Sequence, residues 1–235
     1  MKKIVGILGG MGPLATVKLF EKIVLLTDAK SDQEHLQIII DSNTSIPDRT
    51  SYILDEKARD PKPQLLESAL RLERAGADFI IMPCNTAHNF YDYIKENINI
   101  PFLNMIEETA KTIRNKYPSI EKVGLLATDG TIKARVYDRV FEEYGMKVVK
   151  PTGDNQKSVY DLIYNIKEGI NQEDLGDFYK AMDEIKDQGV DLFIAGCTEI
   201  SVALDLYQLQ GNFIDPMDAV AISAIKYAGG KVKDI

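Results

Sequence analysis

No run of apolar residues in this sequence approaches the roughly 20 that a membrane-spanning helix requires. The first apolar run, behind Met1-Lys2-Lys3, is interrupted by Gly6, Gly9 and Gly10. It is too short and too broken for an export signal, so the cytoplasm is the expected location and no membrane partner is expected. Positive charge is in deficit: 28 Lys and Arg against 36 Asp and Glu give a net charge of −8. An acidic surface repels phosphate backbones, which argues against nucleic acid as a partner. It leaves a small anionic substrate open, because basic groups can gather inside a cleft. Cysteine is scarce, with two residues and no CxxC pair, and His35 and His88 form no recognisable ligand pattern with them. Neither a metal site nor a disulfide is expected. Each cysteine must then be a core residue, a ligand or a reactive group. Low-complexity tracts and long linkers are also missing.

What is present suits a globular core. The 235 residues are 45% hydrophobic and 27% charged, enough for one large domain or two small ones. Short apolar runs at Ile4–Leu8, Leu36–Asp41, Phe79–Met82, Val123–Leu126, Val148–Val149 and Leu192–Ala195 read as buried strands. Stretches beginning near Pro13, Pro63, Thr86, Met105, Thr131, Lys157, Glu173, Glu199 and Met217 read as helices. Strands alternating with helices imply parallel sheets covered on both faces, an α/β fold.

The chain also repeats itself. Gly76-Ala77-Asp78-Phe79-Ile80-Ile81-Met82-Pro83-Cys84 aligns without a gap on Gly189-Val190-Asp191-Leu192-Phe193-Ile194-Ala195-Gly196-Cys197. Lys3-Ile4-Val5-Gly6-Ile7-Leu8 compares with Lys122-Val123-Gly124-Leu125-Leu126. The repeat unit is about half the chain. Two similar lobes follow, each a mostly parallel sheet flanked by helices, related by a pseudo-twofold axis with a site in the cleft between them. The first lobe is expected over 1–103 plus 214–235, the second over 104–213.

Cys84 and Cys197 each follow a buried strand and precede a helix. That places them at strand carboxyl ends, where open α/β sheets bind ligands, and near helix N-termini, which favour anions. Both effects are expected to lower a thiol pKa from about 8.5. Two acid/base groups approaching one carbon from opposite sides suit inversion of a stereocentre: one removes the α-proton and the other returns a proton on the far face. A lone buried cysteine is more often an inert small hydrophobe, and the matched positions are what favour chemistry here.

Other signals are weaker alone. Gly10, Gly12 and Ala15 in Leu8-Gly9-Gly10-Met11-Gly12-Pro13-Leu14-Ala15 fit the dinucleotide fingerprint. The loop would present backbone N–H groups to an anion, either a nucleotide phosphate or a substrate carboxylate. Asn43 to Thr50 reads as a polar loop with one arginine, Arg49, either a carboxylate clamp or a solvated side chain. Lys167 lies late in a helix, where lysine needs no function. His88 could tune the Cys84 thiol, though a surface histidine is the favoured reading. Glu199 could orient a polar network or simply satisfy the helix dipole.

Taken together, Gly9 to Thr16, Met82 to His88 and Gly196 to Glu199 resemble the aspartate/glutamate racemase family, in particular its aspartate racemase branch, across essentially the whole chain. The resemblance implies independence from pyridoxal phosphate and metals, so no cofactor, with catalysis by Cys84 and Cys197. It implies that Met11 lines the pocket, that Arg49 and Lys167 hold the substrate's side-chain carboxylate with Thr50 beside them, and that Asn85, Thr86 and Thr198 bind the α-carboxylate and amino group. Thr128 is a further substrate-binding candidate. The implied substrate is a small dicarboxylic amino acid, aspartate or alternatively glutamate, and relatives suggest a homodimer. A hydantoin racemase, a maleate isomerase, a two-lobed anion-binding protein and a nucleotide-binding protein are the rival readings.

Overall fold

In the computed structural model, residues 2–170 and 174–234 are described. The chain folds as α/β, with two parallel sheets flanked by helices and two lobes. β1 (Val5–Gly9) is the centre of the first sheet, between β2 (Ile38–Ser42) and β3 (Phe79–Ile81). Val5 is in register with Ile38 on one side and Phe79 on the other, all parallel. A parallel bridge from Ile80 to Phe102 extends this sheet beyond β3. In the second sheet β4 (Lys122–Leu126) lies between β5 (Lys147–Val149) and β6 (Phe193–Ala195), and β7 (Phe213–Ile214) pairs beyond β6. The two sheets thus build outward in the same chain order, as the internal repeat leads one to expect.

The central strands β1, β3 and β6 are buried along their length, while β2 is only half-buried and Ile40 is exposed. Leu36–Asp41 was expected as a buried strand. As a sheet edge it has a neighbour on one side only, so its apolar residues are not enclosed.

The helices that follow the last strand of each sheet are exchanged. α5 (Met105–Lys116) leaves the first sheet yet places Ile106, Ala110 and Ile113 against Val123, Tyr137 and Phe141 of the second core. α11 (Pro216–Tyr227) leaves the second sheet and places Met217, Val220 and Ala221 against Val5, Leu19 and Phe79 of the first. Asn104 caps α5 and Asp215 caps α11, each carboxyl or amide oxygen accepting from backbone N–H groups of the first turn.

Between these lie α1 (Pro13–Leu26), α2 (Arg49–Leu54), α3 (Lys62–Arg74), α4 (Tyr91–Lys95), α6 (Asp129–Ala134), α7 (Val136–Glu143), α8 (Gly153–Glu168), α9 (Gly176–Lys186) and α10 (Thr198–Leu206). The helix expected from Thr86 begins as a 3-10 turn, Thr86–Phe90, before α4. The start expected at Glu173 lies outside the described residues. Among the described residues, no helix is long and apolar enough to cross a membrane.

Candidate active site

The chemistry collects where the carboxyl ends of both sheets meet. After β1 the chain turns through Gly10 at φ +91°, and a Cβ there would lie 2.3 Å from the carbonyl carbon of Asn43. Only glycine fits such a left-handed position against a neighbouring backbone. Gly10 N–H donates to Thr16 Oγ1 at 2.8 Å, and that hydroxyl donates to Gly12 O at 3.1 Å. The loop is therefore folded back on the first turn of α1, and the Gly10 amide is not free for a phosphate.

After β2, Asp48 caps α2, its Oδ1 accepting from Ser51 N–H at 2.7 Å. Burial opposes the Asp48 charge, but the Ser51 bonds and the Arg49 and Lys167 cations hold its carboxyl below the usual range. The segment expected as a polar loop thus becomes helical at Arg49, which is 9% exposed rather than solvated. Arg49 Nη1 donates to the carbonyls of Ile46 and Pro47 at 3.3 and 3.1 Å, and its Nε is buried without a partner.

A cavity of about 310 Å³ is lined by Met11, Leu14, Asp48, Arg49, Ile166, Lys167, Thr198, Glu199 and Val202 together with the Gly10–Ala15 loop. It joins the α1 and α2 termini of the first lobe to α8 and α10 of the second. Lys167, late in α8, is exposed at the rim and stands 4.7 Å over the Tyr164 ring. Crowding opposes its charge, but Cys197, Glu199 and Cys84 together hold its ammonium pKa above the usual value. One cation therefore feels both cysteines, although its exposure screens part of that field.

Cys197 is the N-cap of α10 and is buried. Its Sγ–H donates to Glu199 Oε2 at 2.8 Å, and Thr198 Oγ1 donates to the same oxygen at 3.2 Å. Burial and the Glu199 charge push its thiol well above the ordinary value, with Lys167 pulling the other way. A lowered pKa was expected here. The correction is physical: desolvation and an adjacent carboxylate outweigh the helix terminus.

Residues 8–224 match the Asp/Glu/hydantoin racemase family. The chain belongs to that family. It is 30% identical over 226 residues to the broad specificity amino-acid racemase RacX of Bacillus subtilis (strain 168), covering 94% of this chain and 96% of that one. Among solved structures, the aspartate racemase of Picrophilus torridus superposes with a TM-score of 0.77 at 34% identity, over 98% of this chain and 96% of that one. An aspartate racemase homologue from Pyrococcus horikoshii OT3 gives 0.77 at 25% identity, over 97% and 100%. The racemase family is a family of isomerases, and the fold is the one its solved members share.

The residues expected at the site fall into two groups. Met11, Arg49, Lys167 and Thr198 share the cavity. Asn85, Thr86 and Thr128 are instead joined across the lobes. Thr86 Oγ1 lies 3.1 Å from Thr128 Oγ1 and 2.8 Å from Thr131 Oγ1, which are 3.1 Å from each other, all buried. Thr128 also caps α6, accepting from Thr131 N–H. Thr50 packs on α6, where a Cβ at Gly130 would lie 2.7 Å from its Oγ1, and its hydroxyl bonds Tyr164.

His88 is buried, not at the surface. Its Nε2 accepts from Met105 N–H at 3.1 Å, so Nδ1 carries the proton and donates to Cys84 O at 2.8 Å. Burial lowers its pKa to about 4, against the weaker pull of the Cys84 carbonyl, so the ring is neutral. It ties the Cys84 backbone to the start of α5. Tyr137 was not singled out in the sequence. Its O–H donates to Asn85 Oδ1 at 2.5 Å from 52 residues away. No local motif marks such a residue; only the docking of α7 does. For Arg49, the Asp48 cap ahead of it was the usable signal. Among the described residues, no group of three His, Cys, Asp or Glu is set to hold a metal.

Proposed function

We propose that this chain interconverts L- and D-aspartate without an added cofactor, through Cys84 and Cys197 acting on opposite faces of the α-carbon. A thiolate on one side takes the α-proton, leaving a carbanion-like centre conjugated with the carboxylate. The opposing thiol donates a proton to the other face, and the roles exchange for the mirror substrate. Cys197, hydrogen-bonded to Glu199, is the group held as a thiol in the free enzyme. Backbone N–H groups at the start of α10 and after Cys84 stabilise the developing charge.

The observation that carries this reading is the pairing of two cations in one small cavity. Arg49 is buried with an unused Nε, and Lys167 senses both sulfurs. One amino-acid carboxylate would be held by this pair and the other by Asn85, Thr86 and Thr198. The exchange of α5 and α11 supports a division into lobes of 1–103 with 214–235 and 104–213. A reducing cytoplasm suits two free thiols, and a homodimer has an exposed apolar row on α1 at Leu14, Val17 and Phe20 available to it.

The test is incubation with L-aspartate and L-glutamate, no cofactor added, and quantification of D-enantiomers by chiral chromatography. Cys84→Ala and Cys197→Ala should each abolish racemisation, and each should retain solvent-deuterium exchange with one enantiomer at most. Racemisation at the normal rate in either variant refutes the mechanism. A second reading is broader amino-acid specificity. Met11, Leu14, Ile166 and Val202 line the cavity beside the cations, and the Bacillus subtilis relative bears that description. A panel of neutral amino acids separates the two.

A further inference from the structure

Asn85 is 3% exposed, follows Cys84 directly, and keeps its Nδ2 buried without a hydrogen-bond partner. A buried amide donor left unsatisfied is destabilising, and such groups in folded proteins call for an explanation. The amide's oxygen, by contrast, is fixed. Tyr137 O–H donates to Oδ1 at 2.5 Å, from a side chain with no exposure at all. Tyr137 is anchored among Val123, Leu125 and Phe141 of the second core, so the contact crosses from one lobe to the other. Were the amide to rotate by 180°, Nδ2 could donate to the hydroxyl oxygen, but the buried Tyr137 O–H would lose Oδ1 as its acceptor and Oδ1 would take the vacant place.

We propose that Tyr137 is a positioning residue for racemisation: its hydroxyl locks the Asn85 amide so that Nδ2, not Oδ1, presents to a substrate carboxylate. This rests on the racemase reading above. The reversed amide would turn a carbonyl oxygen toward an anion, replacing attraction with repulsion. The lock also holds across pH. Burial, and the nearby charges of Asp215 and Cys197, push the Tyr137 phenol far above its ordinary range, so it remains a donor.

Tyr137→Phe keeps the ring and removes the donor. Kinetically, it should raise KM for aspartate about tenfold with a smaller change in kcat. Asn85→Ala should do the same, and the double variant should be no worse than Asn85→Ala alone. Phe141→Leu, whose ring is 5.5 Å from that of Tyr137, perturbs the same core and should leave KM unchanged. Multiplying effects in the double variant, or an unchanged KM in Tyr137→Phe, overturn the inference. A second measurement stands apart from turnover. In asparagine-labelled protein, the Asn85 side-chain amide signal, assigned by its loss in Asn85→Ala, should shift on titration with DL-aspartate. Tyr137→Phe should need about ten times more ligand for the same shift. Equal titrations in the two proteins, or no shift in the unsubstituted one, also overturn it. If the unsubstituted enzyme moves this signal yet forms no D-aspartate or D-glutamate, the racemase reading fails while the amide lock stands.

Discussion

Cys197 donates its thiol hydrogen to Glu199 Oε2 across 2.8 Å, and Lys167 sits within the field of the same sulfur. The two neighbours act with opposite sign. Glu199 and burial disfavour the thiolate, whereas Lys167 favours it. Glu199→Gln removes the negative charge and should bring the Cys197 pKa down. Lys167→Met removes the positive charge and should push it up. Thiolate absorbance or iodoacetamide labelling against pH, in a Cys84→Ser background, reads Cys197 alone. Labelling of Glu199→Gln should be faster than that of the parent at each pH below the parent's titration, and labelling of Lys167→Met slower. Shifts of the same sign in both variants would show that charge does not govern this thiol.

Much of this architecture is legible in the sequence because its central strands are enclosed on both sides. A continuous apolar run such as Phe79–Ile81 has few other places to go, and the same holds for Val123–Leu126. Elements that depend on one side of a sheet, or on a cap, are harder to read. β7 has two residues and exists only as an edge partner of β6, and α2 has six residues and depends on its Asp48 cap. The duplicated cysteine positions are legible because a repeat fixes them relative to strands. Their electrostatics are not. Whether Cys197 is stabilised as thiol or thiolate depends on where the Glu199 rotamer points and on Lys167, 30 residues before it in sequence. His88 reads as polar and therefore as exposed, but both ring nitrogens find backbone partners: Nδ1 the carbonyl of Cys84 one turn earlier, and Nε2 the Met105 N–H that only the packing of α5 supplies.

That neutral histidine carries a pH dependence. Its pKa falls from 6.5 in the unfolded chain to about 4 in the fold, with burial as the dominant cause. The unfolded state therefore binds the proton first. The stabilisation is fully present above pH 6.5 and is lost as pH falls through 4, by up to about 3 kcal/mol in total. His88→Gln removes the titration and disturbs the two backbone hydrogen bonds. It should lower stability by about 1–3 kcal/mol at pH 7 and show a shallower loss between pH 6.5 and 4 than the parent. Urea unfolding at pH 7, 5.5 and 4.5 gives the comparison, and because other acidic groups titrate in both proteins, the difference between them is the quantity to follow. Parallel curves would mean that the fold does not lower the His88 pKa.

Arg49 bears on substrate binding through geometry as much as charge. Its Nη1 is committed to the Ile46 and Pro47 carbonyls, while Nε is buried with no partner of its own. A planar guanidinium can hold the loop with one edge and a carboxylate with another, and an ammonium cannot do both. Arg49→Lys keeps the charge and loses the fork. KM for aspartate should then rise tenfold or more, about 1.4 kcal/mol of binding, with kcat reduced less, because a distal carboxylate is held alike in ground and transition states. The comparison that isolates this role is a neutral amino acid such as alanine, if the enzyme accepts it: its KM should be insensitive to the substitution. Steady-state assays of both substrates, with thermal melting to verify the fold, give the answer. If KM for aspartate is unchanged while the melting temperature drops, Arg49 serves only to pin the 46–47 turn, and the distal carboxylate must be held by Lys167 alone.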